Sequence, residues 1–368
     1  MDSLKNAIKE FWPEGGAVSV SPLGSGHIND TYLVTVSGGS GCDKKLALQS
    51  INRSVFKDPE GLMENLTGIT SFLRSRIEKA GGDPQRETLT FLPARDGRYF
   101  YADPSGEYWR CSLFIEDALS LDRAESPEVF KESGAAFGRF QRLLSDYPVE
   151  TLSETIVGFH DTTARLEIFK RALGEDPVGR ASSVMNEAEF FLSRESLARA
   201  FSGFPGCGVK LRVTHNDAKL NNVLIDKKSG RGLCVIDLDT VMPGLAMNDF
   251  GDAIRFGANT AAEDETDLSK VSLDQVLFKA FAEGFAEGCG DILSEQELRL
   301  LPMGAMVMTY ENGMRFLTDY LQGDVYFRIH RPGHNLDRAR CQIALLKDME
   351  KKRPGMDAVI EELISGRH

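Results

Sequence analysis

The sequence predicts an α+β protein built from two unequal units, and three features of its 368 residues lead to this prediction. Short β-prone segments separated by Gly, Asn and Ser clusters occupy the first third of the chain. Long segments with helical spacing of apolar residues follow from about residue 119 onwards, and one strand-rich stretch interrupts them at 213–240. We therefore expect a small sheet unit first, followed by a larger helical unit with a β insert.

The N-terminal unit is predicted to combine a sheet with one main helix. The strand-like segments are 17–21, 31–36, 45–50, 98–102 and 108–115. Asp58 followed by Pro59 is typical of a helix N-terminus, because an Asp side chain accepts hydrogen bonds from free amides and Pro has no amide to leave unpaired. The apolar residues that continue this helix at three- and four-residue spacing are Leu62, Leu66, Ile69, Leu73 and Ile77.

The C-terminal unit is predicted to be mostly helical. Its helical patterns cover 127–144, 163–173, 183–201, 273–287, 294–321 and 337–352. The pattern changes near 116–118, so we expect one unit at 1–116 and a second at 117–368. Basic and acidic residues number 13 and 15 in the first unit and 30 and 40 in the second, so most of the net charge of −12 belongs to the helical unit.

Composition argues against several functional classes. The pI near 5.1 disfavours a nucleic-acid-binding surface, because phosphate backbones attract excess Lys and Arg. No apolar run approaches the ~20 residues of a membrane span, and the N-terminus lacks the apolar core of a signal peptide. The six cysteines form no CxxC motif, which favours reduced thiols. We expect a cytoplasmic protein, a monomer or weak homo-oligomer, that binds neither nucleic acid nor membrane.

The stretch 213–240 contains the most informative polar residues of the chain. They are His215, Asp217, Lys219 and Asn222, spaced H-x-D-x-K-x-x-N, and Asp237, which follows a second apolar run. The apolar runs at 223–226 and 233–236 flank the turn-like sequence KKSGRG and predict a β-hairpin. If the turn is centred on residues 229 and 230, Asn222 and Asp237 lie directly opposite each other at its open end.

These residue types are the ones that phosphoryl transfer requires: a carboxylate near the attacking hydroxyl, oxygen ligands for Mg²⁺ and a cation near the transferred group. Asp217 is predicted to be the base, Asn222 and Asp237 the metal ligands, and Lys219 the contact to the γ-phosphate of ATP. His215 is expected to support the loop. The alternative is an ordinary polar surface turn. Five residues of the types that phosphoryl transfer requires, in one short stretch and at the spacing that transfer requires, favour the catalytic interpretation.

The segment HNDAKLNNVLID resembles the catalytic loop of the aminoglycoside phosphotransferase/choline kinase superfamily, which has a protein-kinase-like fold. More narrowly, VIDLDTVMPGLAMNDFGDAIR, ENGMRFLTDYLQGDVYF, GSGHINDTY and LALQSIN resemble the bacterial N-acetylhexosamine 1-kinases, and the similarity spans nearly the whole chain. The resemblance implies a bilobal α+β fold with a small antiparallel-sheet N-lobe, a helical C-lobe, and ATP and Mg²⁺ between them. It also implies phosphorylation of an N-acetylhexosamine at its anomeric hydroxyl.

The N-lobe contains the candidate nucleotide contacts. Gly24, Ser25 and Gly26 lie between two predicted strands, where a glycine-rich loop over the ATP phosphates and a plain hairpin turn fit equally well. By resemblance, the backbone at Glu116 hydrogen-bonds the adenine.

Gln49 stands where kinases usually place a phosphate-binding Lys, and the resemblance includes this Gln. The identity of the residue whose positive charge balances the α- and β-phosphates is therefore open, and the candidates are Arg53, Lys45 and Lys219. Glu64 could be the helix glutamate that normally pairs with that Lys, or a surface residue.

The candidate acceptor contacts follow from the resemblance, which points to Arg315 and Tyr326 as sugar contacts and to His27 as a further one. The segment 301–345 has five Arg against four acidic residues, and Arg donors suit neutral sugar oxygens while repelling ammonium groups. The alternatives are a helix-surface charge for Arg315, core packing for Tyr326 and a turn-capping role for His27.

Several alternatives remain at this level. Asp249 belongs to a DFG sequence, but the resemblance places it at a helix start where it supports the catalytic loop, and Asp239 is either a second metal ligand or structural. His330 and His334 are separated by Pro and Gly, so no zinc pair is expected. The rival functions are a kinase of aminoglycosides or amino alcohols, and a non-catalytic nucleotide-binding module.

Overall fold

The computed structural model describes residues 2–23, 29–37, 43–202 and 208–367. Its N-terminal part contains helix α1 (Asp2–Phe11), which the sequence pattern did not predict, and helix α2 (Pro59–Lys79). The strands are β1 (Ala17–Pro22), β2 (Asp30–Val36), β3 (Lys44–Ile51), β4 (Tyr101–Ala102) and β5 (Tyr108–Leu113). They form an antiparallel sheet in the order β1-β2-β3-β5-β4. The predicted first three strands are confirmed, whereas the predicted strand at 98–102 shortens to two residues.

The buried apolar residues of this N-terminal part belong to two separate clusters. One face of the sheet packs against α1, and Ile8 and Phe11 of the helix belong to the same apolar cluster as Leu46 and Leu48 of β3. Helix α2 begins as predicted, because the Asp58 side chain accepts a hydrogen bond from the Gly61 amide. Its apolar stripe belongs to the larger cluster that it shares with the C-terminal helices.

The C-terminal part is mostly helical. Its helices are α3 (Pro127–Leu143), α4 (Thr162–Glu175), α5 (Met185–Leu192), α6 (Glu195–Ala198), α7 (Ala246–Gly257), α8 (Gln275–Cys289), α9 (Glu295–Arg299), α10 (Leu301–Gln322) and α11 (His334–Ser365). Its strands are β6 (Ala118–Leu119), β7 (Arg212–Thr214), β8 (Val223–Asp226), β9 (Gly232–Val235) and β10 (Met242–Gly244). No helix among the described residues combines the length and apolar character that a bilayer crossing would require.

Most of the predicted long helices are present, and two are divided. The single helix predicted at 183–201 is wrong, because α5 ends at Leu192 and α6 is a separate short helix. The helix predicted at 294–321 is also two helices, with Pro302 in the first turn of α10. Helices α3 and α8 pack closely because glycines lie at their contact: a Cβ on Gly284 would lie 2.0 Å from the Lys131 carbonyl oxygen.

The β8–β9 hairpin positions the candidate site, and its register differs from the prediction. Val223 pairs with Val235 and Leu224 with Cys234, and the register shifts at Ile225. The predicted register, in which Asn222 lies opposite Asp237 and residue 223 opposite residue 236, is therefore wrong by one position. The turn is tighter than predicted because the Asp226 amide donates to the Arg231 carbonyl oxygen.

Candidate active site

The segment that follows β7, residues 215–222, is the catalytic loop of the sequence prediction, and Asp249 fixes its conformation. Asp249 lies in the first turn of α7 and is fully buried. Its carboxylate accepts hydrogen bonds from the backbone amides of His215 (2.9 Å) and Asn216 (2.7 Å) and from Gln141 Nε2 (2.7 Å). Burial raises the pKa of Asp249. The prediction that this residue supports the catalytic loop from a helix start is confirmed by these contacts.

His215 is buried beneath the catalytic loop. Its Nε2 lies 2.8 Å from the Ile236 carbonyl oxygen, which can only accept, so Nε2 carries the proton. Its Nδ1 then accepts a hydrogen bond from the Asp217 amide at 3.3 Å. The imidazole therefore ties the start of the loop to the end of β9, which is a positioning arrangement.

Asp217 presents a carboxylate next to a cation. Its Oδ1 lies 2.7 Å from Lys219 Nζ, and about 31% of the Asp217 side chain and 29% of the Lys219 side chain are exposed. Burial acts to raise the pKa of Asp217, but the attraction of Lys219 outweighs it and holds the pKa below the ordinary value. The same attraction raises the pKa of Lys219 against the effect of burial. At neutral pH the pair is a carboxylate and an ammonium group.

Asn222 and Asp237 are brought close by backbone contacts. Asn222 Nδ2 donates to the Asp217 carbonyl oxygen at 2.8 Å, and the Ile236 amide donates to the Asn222 carbonyl oxygen at 2.9 Å. Asp237 follows directly in a left-handed conformation (φ 58°), so β9 does not continue through it. Although the predicted register was wrong, the two residues still lie at the same end of the hairpin.

The charge around Asp237 suits a cation. Removal from bulk water and the repulsion of Asp239 and Asp217 raise the pKa of Asp237 to about 6. No group of three or more His, Cys, Asp or Glu side chains is placed to hold a metal ion in the described ranges. Mg²⁺ usually takes one or two protein oxygens and completes its shell with water and substrate phosphates. The carboxylate of Asp237 and the amide oxygen of Asn222 fit that donor set.

Asp239 lies in a 3₁₀ turn (Leu238–Thr240). Its carboxylate pairs with the Arg110 guanidinium (Nη1 to Oδ1, 2.5 Å; Nη2 to Oδ2, 3.0 Å) and accepts from Asn29 Nδ2 at 2.5 Å. Both partners belong to the N-terminal part. Asp239 therefore connects the sheet to the loop that carries Asp237.

The structure describes only some of the predicted nucleotide contacts. Gly24, Ser25, Gly26 and His27 lie outside the described residues. Gln49 donates to Thr31 Oγ1 and accepts from Arg110 Nε, both at 2.9 Å.

Glu116 is exposed after the end of β5, at the junction of the two parts. Its side chain pairs with Lys45, and its carbonyl oxygen accepts a hydrogen bond from Arg86. Glu64, considered as the helix partner of a phosphate-binding Lys, is exposed on α2.

Arg315 and Tyr326 lie together, in contact with two further aromatic rings. The Arg315 guanidinium carbon is 5.1 Å from the ring centre of Phe159, 5.9 Å from that of Tyr326 and 5.5 Å from that of Phe327. We call these three rings the aromatic cage. In the described part of the chain, no hydrogen bond or ion pair engages the Arg315 guanidinium. Tyr326 is 54% exposed, so it is not a core residue.

His160 and Glu311 form a buried pair beside the catalytic loop that sequence reasoning missed. His160 Nδ1 lies 2.7 Å from Glu311 Oε1, and Nε2 lies 2.9 Å from the Asn216 carbonyl oxygen. Burial opposes charge on His160, but the carboxylate of Glu311 outweighs it and raises the pKa. Because both ring nitrogens face acceptors, a charged imidazolium satisfies them best. No spacing pattern in the sequence links these two residues.

A cavity of about 410 Å³ adjoins the loop, with Phe159, His160, Asn216 and Leu245 among its lining residues. That volume lies within the usual range of small-molecule sites. Asp217 does not line it, and the cavity shares Phe159 with the aromatic cage.

Comparison with known proteins places this arrangement in a family. The sequence model of the phosphotransferase enzyme family (APH) matches residues 19–271, more than half of the chain. The chain belongs to the APH phosphotransferase family. Asp217, Lys219, Asn222 and Asp237 all lie within the matched span, as does Gln49.

Solved structures show the kinase-like bilobal fold of this APH phosphotransferase. It resembles an aminoglycoside phosphotransferase from Alicyclobacillus acidocaldarius (TM-score 0.64, 10% identity, 97% and 96% of the two chains covered). It also resembles a choline/ethanolamine kinase family protein from Mesorhizobium loti (TM-score 0.54, 18% identity, 98% of each chain). A third similar structure is the GDP and kanamycin complex of an APH(2″) enzyme (TM-score 0.54, 14% identity, 96% and 99% covered). These identities establish the fold and leave the acceptor open.

Proposed function

We propose that this APH phosphotransferase is an ATP- and Mg²⁺-dependent sugar kinase that phosphorylates the anomeric C1 hydroxyl of an N-acetylhexosamine, either N-acetylglucosamine or N-acetylgalactosamine. The observation that carries the proposal is the occupied aromatic cage, in which Arg315 covers faces of Phe159, Tyr326 and Phe327. An empty cage would suit an ammonium group. A guanidinium in that place repels ammonium groups, and its N–H donors suit neutral hydroxyl and acetamido oxygens.

In the proposed reaction, Asp217 accepts the proton of the C1 hydroxyl as the new O1–P bond forms. The bond from the γ-phosphorus to the bridging oxygen breaks, and ADP leaves with that electron pair. Asp217 Oδ1 faces Lys219, and Oδ2 is only weakly engaged by Asn222 Nδ2 at 3.4 Å, so one oxygen remains for the hydroxyl. The anomeric hydroxyl is more acidic than an ordinary alcohol, so a weak base is sufficient, and positioning and electrostatics supply most of the rate.

The remaining roles follow the same proposal. Asn222 and Asp237 would hold Mg²⁺, which when bound offsets the charge of the phosphates. Lys219 would exchange its contact with Asp217 for the γ-phosphate, and the backbone near Glu116 would bind adenine. Gly24, Ser25 and Gly26 would cover the phosphates, and His27, Arg315 and Tyr326 would bind the sugar.

The proposal is tested by the identity of the product. The purified protein is incubated with ATP, Mg²⁺ and, separately, N-acetylglucosamine, N-acetylgalactosamine, glucose, kanamycin and choline, while ADP release is followed by a coupled assay. ³¹P NMR of the products then reports the phosphorylated position. We expect a sugar 1-phosphate from at least one N-acetylhexosamine. A 6-phosphate product, or turnover restricted to kanamycin or choline, would overturn the proposal.

The role of Arg315 is tested by replacing it with Met, which keeps an unbranched side chain but removes the charge and the donors. We expect the KM for the N-acetylhexosamine to rise by about tenfold or more, because one charge-assisted hydrogen bond is lost. The KM for ATP should stay within about twofold of the wild-type value. Arg328→Met is the matched control, because Arg328 is exposed on the same segment. An equal rise in both KM values would indicate a structural role and contradict the assignment.

A further inference from the structure

A row of polar side chains crosses three strands on the sheet face that points away from α1. Thr31 on β2 pairs in register with Gln49 on β3, and Gln49 pairs with Arg110 on β5. The neighbouring Leu48 and Cys111 pack in the cluster under α1, so the alternation of a strand turns Gln49 and Arg110 to the opposite face. The row is joined by the hydrogen bonds from Gln49 to Thr31 and from Arg110 to Gln49.

The row ends at the loop that carries the candidate metal ligand. The Arg110 guanidinium pairs with both oxygens of Asp239, two residues after Asp237, and only 3% of the Arg110 side chain is exposed. A buried ion pair rarely adds much net stability, because both charges lose their hydration, so its position calls for another explanation.

Gln49 stands where kinases place the Lys that contacts the α- and β-phosphates, and a neutral amide cannot supply that charge. Residues opposite each other on paired strands have Cβ atoms about 5 Å apart, so Arg110 brings its charge to the same place from the next strand. Hydrogen bonds within the described ranges account for three of the five guanidinium N–H donors of Arg110.

The cations considered from the sequence are engaged elsewhere. Lys45 is exposed and pairs with Glu116, while Arg53 is exposed, donates to the Gly106 carbonyl oxygen and lies over the Tyr108 ring. Lys219 pairs with Asp217 on the catalytic loop.

We infer that Arg110 supplies the positive charge for the α- and β-phosphates of the nucleotide, with Gln49 holding its Nε and Asp239 partly offsetting its charge. The inference rests on the ATP-dependent part of the proposed function and is independent of the acceptor.

The test compares ADP with adenosine, which differ only in the phosphates, by isothermal titration calorimetry in Mg²⁺-free buffer with EDTA. We expect Arg110→Met to weaken ADP binding by about tenfold or more and to leave adenosine binding within about twofold, because only the charged contact is lost. Arg110→Lys should restore part of the ADP affinity. Arg53→Met is the matched control and should bind both ligands as the wild type does.

Asp239→Asn provides an independent arm should Arg110→Met fail to fold, as judged by circular dichroism. Removing the carboxylate leaves Arg110 in place and removes a negative charge near the phosphates, so metal-free ADP should bind at least as tightly as to the wild type. Unchanged ADP binding in a folded Arg110→Met variant, an equal loss for ADP and adenosine, or weaker ADP binding by Asp239→Asn would each overturn the inference. Equal affinity of the wild-type protein for ADP and adenosine would likewise overturn it. A wild-type protein that binds neither ligand would instead overturn the nucleotide part of the proposed function.

Discussion

Asp217→Asn is expected to lower kcat by about a thousandfold while leaving the protein folded and able to bind ADP. An amide cannot accept the hydroxyl proton, and general bases contribute roughly 10²–10⁴ in rate. The Asp217 side chain is partly exposed and its principal side-chain partner is Lys219, so the substitution removes one ion pair at the surface of the site and little packing. The measurement is kcat from coupled ADP release, together with thermal unfolding and ADP affinity on the same preparations.

The matched control for this prediction is Asp146→Asn. Asp146 is also an aspartate in an ion pair, with Arg76, but its side chain is 68% exposed and lies outside the catalytic loop. Wild-type kcat is expected for it, within about twofold. If Asp217→Asn retains full activity, the carboxylate does not act as the base. If it loses thermal stability in parallel with kcat, the loss of activity reports the fold.

The sequence predicted the catalytic loop because its residues lie close together in the chain, where spacing alone restricts their geometry. The hairpin register required more than spacing. Asp226 accepts hydrogen bonds from the amides of Lys228 and Ser229, and the chain reverses between Asp226 and Arg231. The turn is therefore shorter than the predicted turn centred on residues 229 and 230. The shift at Ile225 then leaves the open end of the hairpin one position from the prediction.

Other parts of the site come from segments that only the tertiary fold brings together. His160 and Glu311 are 151 positions apart, and Arg110 and Asp239 are 129 apart. Neither pair has a local pattern that would identify it. The strand alternation at Arg110 does place it on the face opposite the α1 core, and its register partner Gln49 stands at the position where kinases usually have the phosphate-binding Lys. Knowing the β3–β5 pairing would have been enough to suggest Arg110 from the sequence.

The assignment of the metal to Asp237 and not to Asp249 predicts that two similar substitutions differ in their thermal stability and in whether Mg²⁺ restores activity. Asp237→Asn is expected to lower activity by about 100-fold or more at ordinary Mg²⁺ concentrations, with partial recovery at high Mg²⁺, because a charged metal ligand is lost. Its thermal stability without metal should be unchanged or higher. The charge of Asp237 is repelled by Asp239 and Asp217, so a neutral amide relieves the repulsion.

Asp249→Asn should behave in the reverse way. Its carboxylate accepts two backbone amides and one side-chain amide while fully buried, and an Asn in its place would turn an N–H₂ group towards one of those donors. We expect a loss of about 2–3 kcal/mol in the free energy of unfolding, and a fall in kcat that added Mg²⁺ does not reverse. Thermal melts in EDTA and Mg²⁺ titrations of kcat separate the two behaviours. If Asp249→Asn had normal stability and an activity defect that Mg²⁺ reverses, the metal would be assigned to Asp249 in the first turn of α7 and not to Asp237.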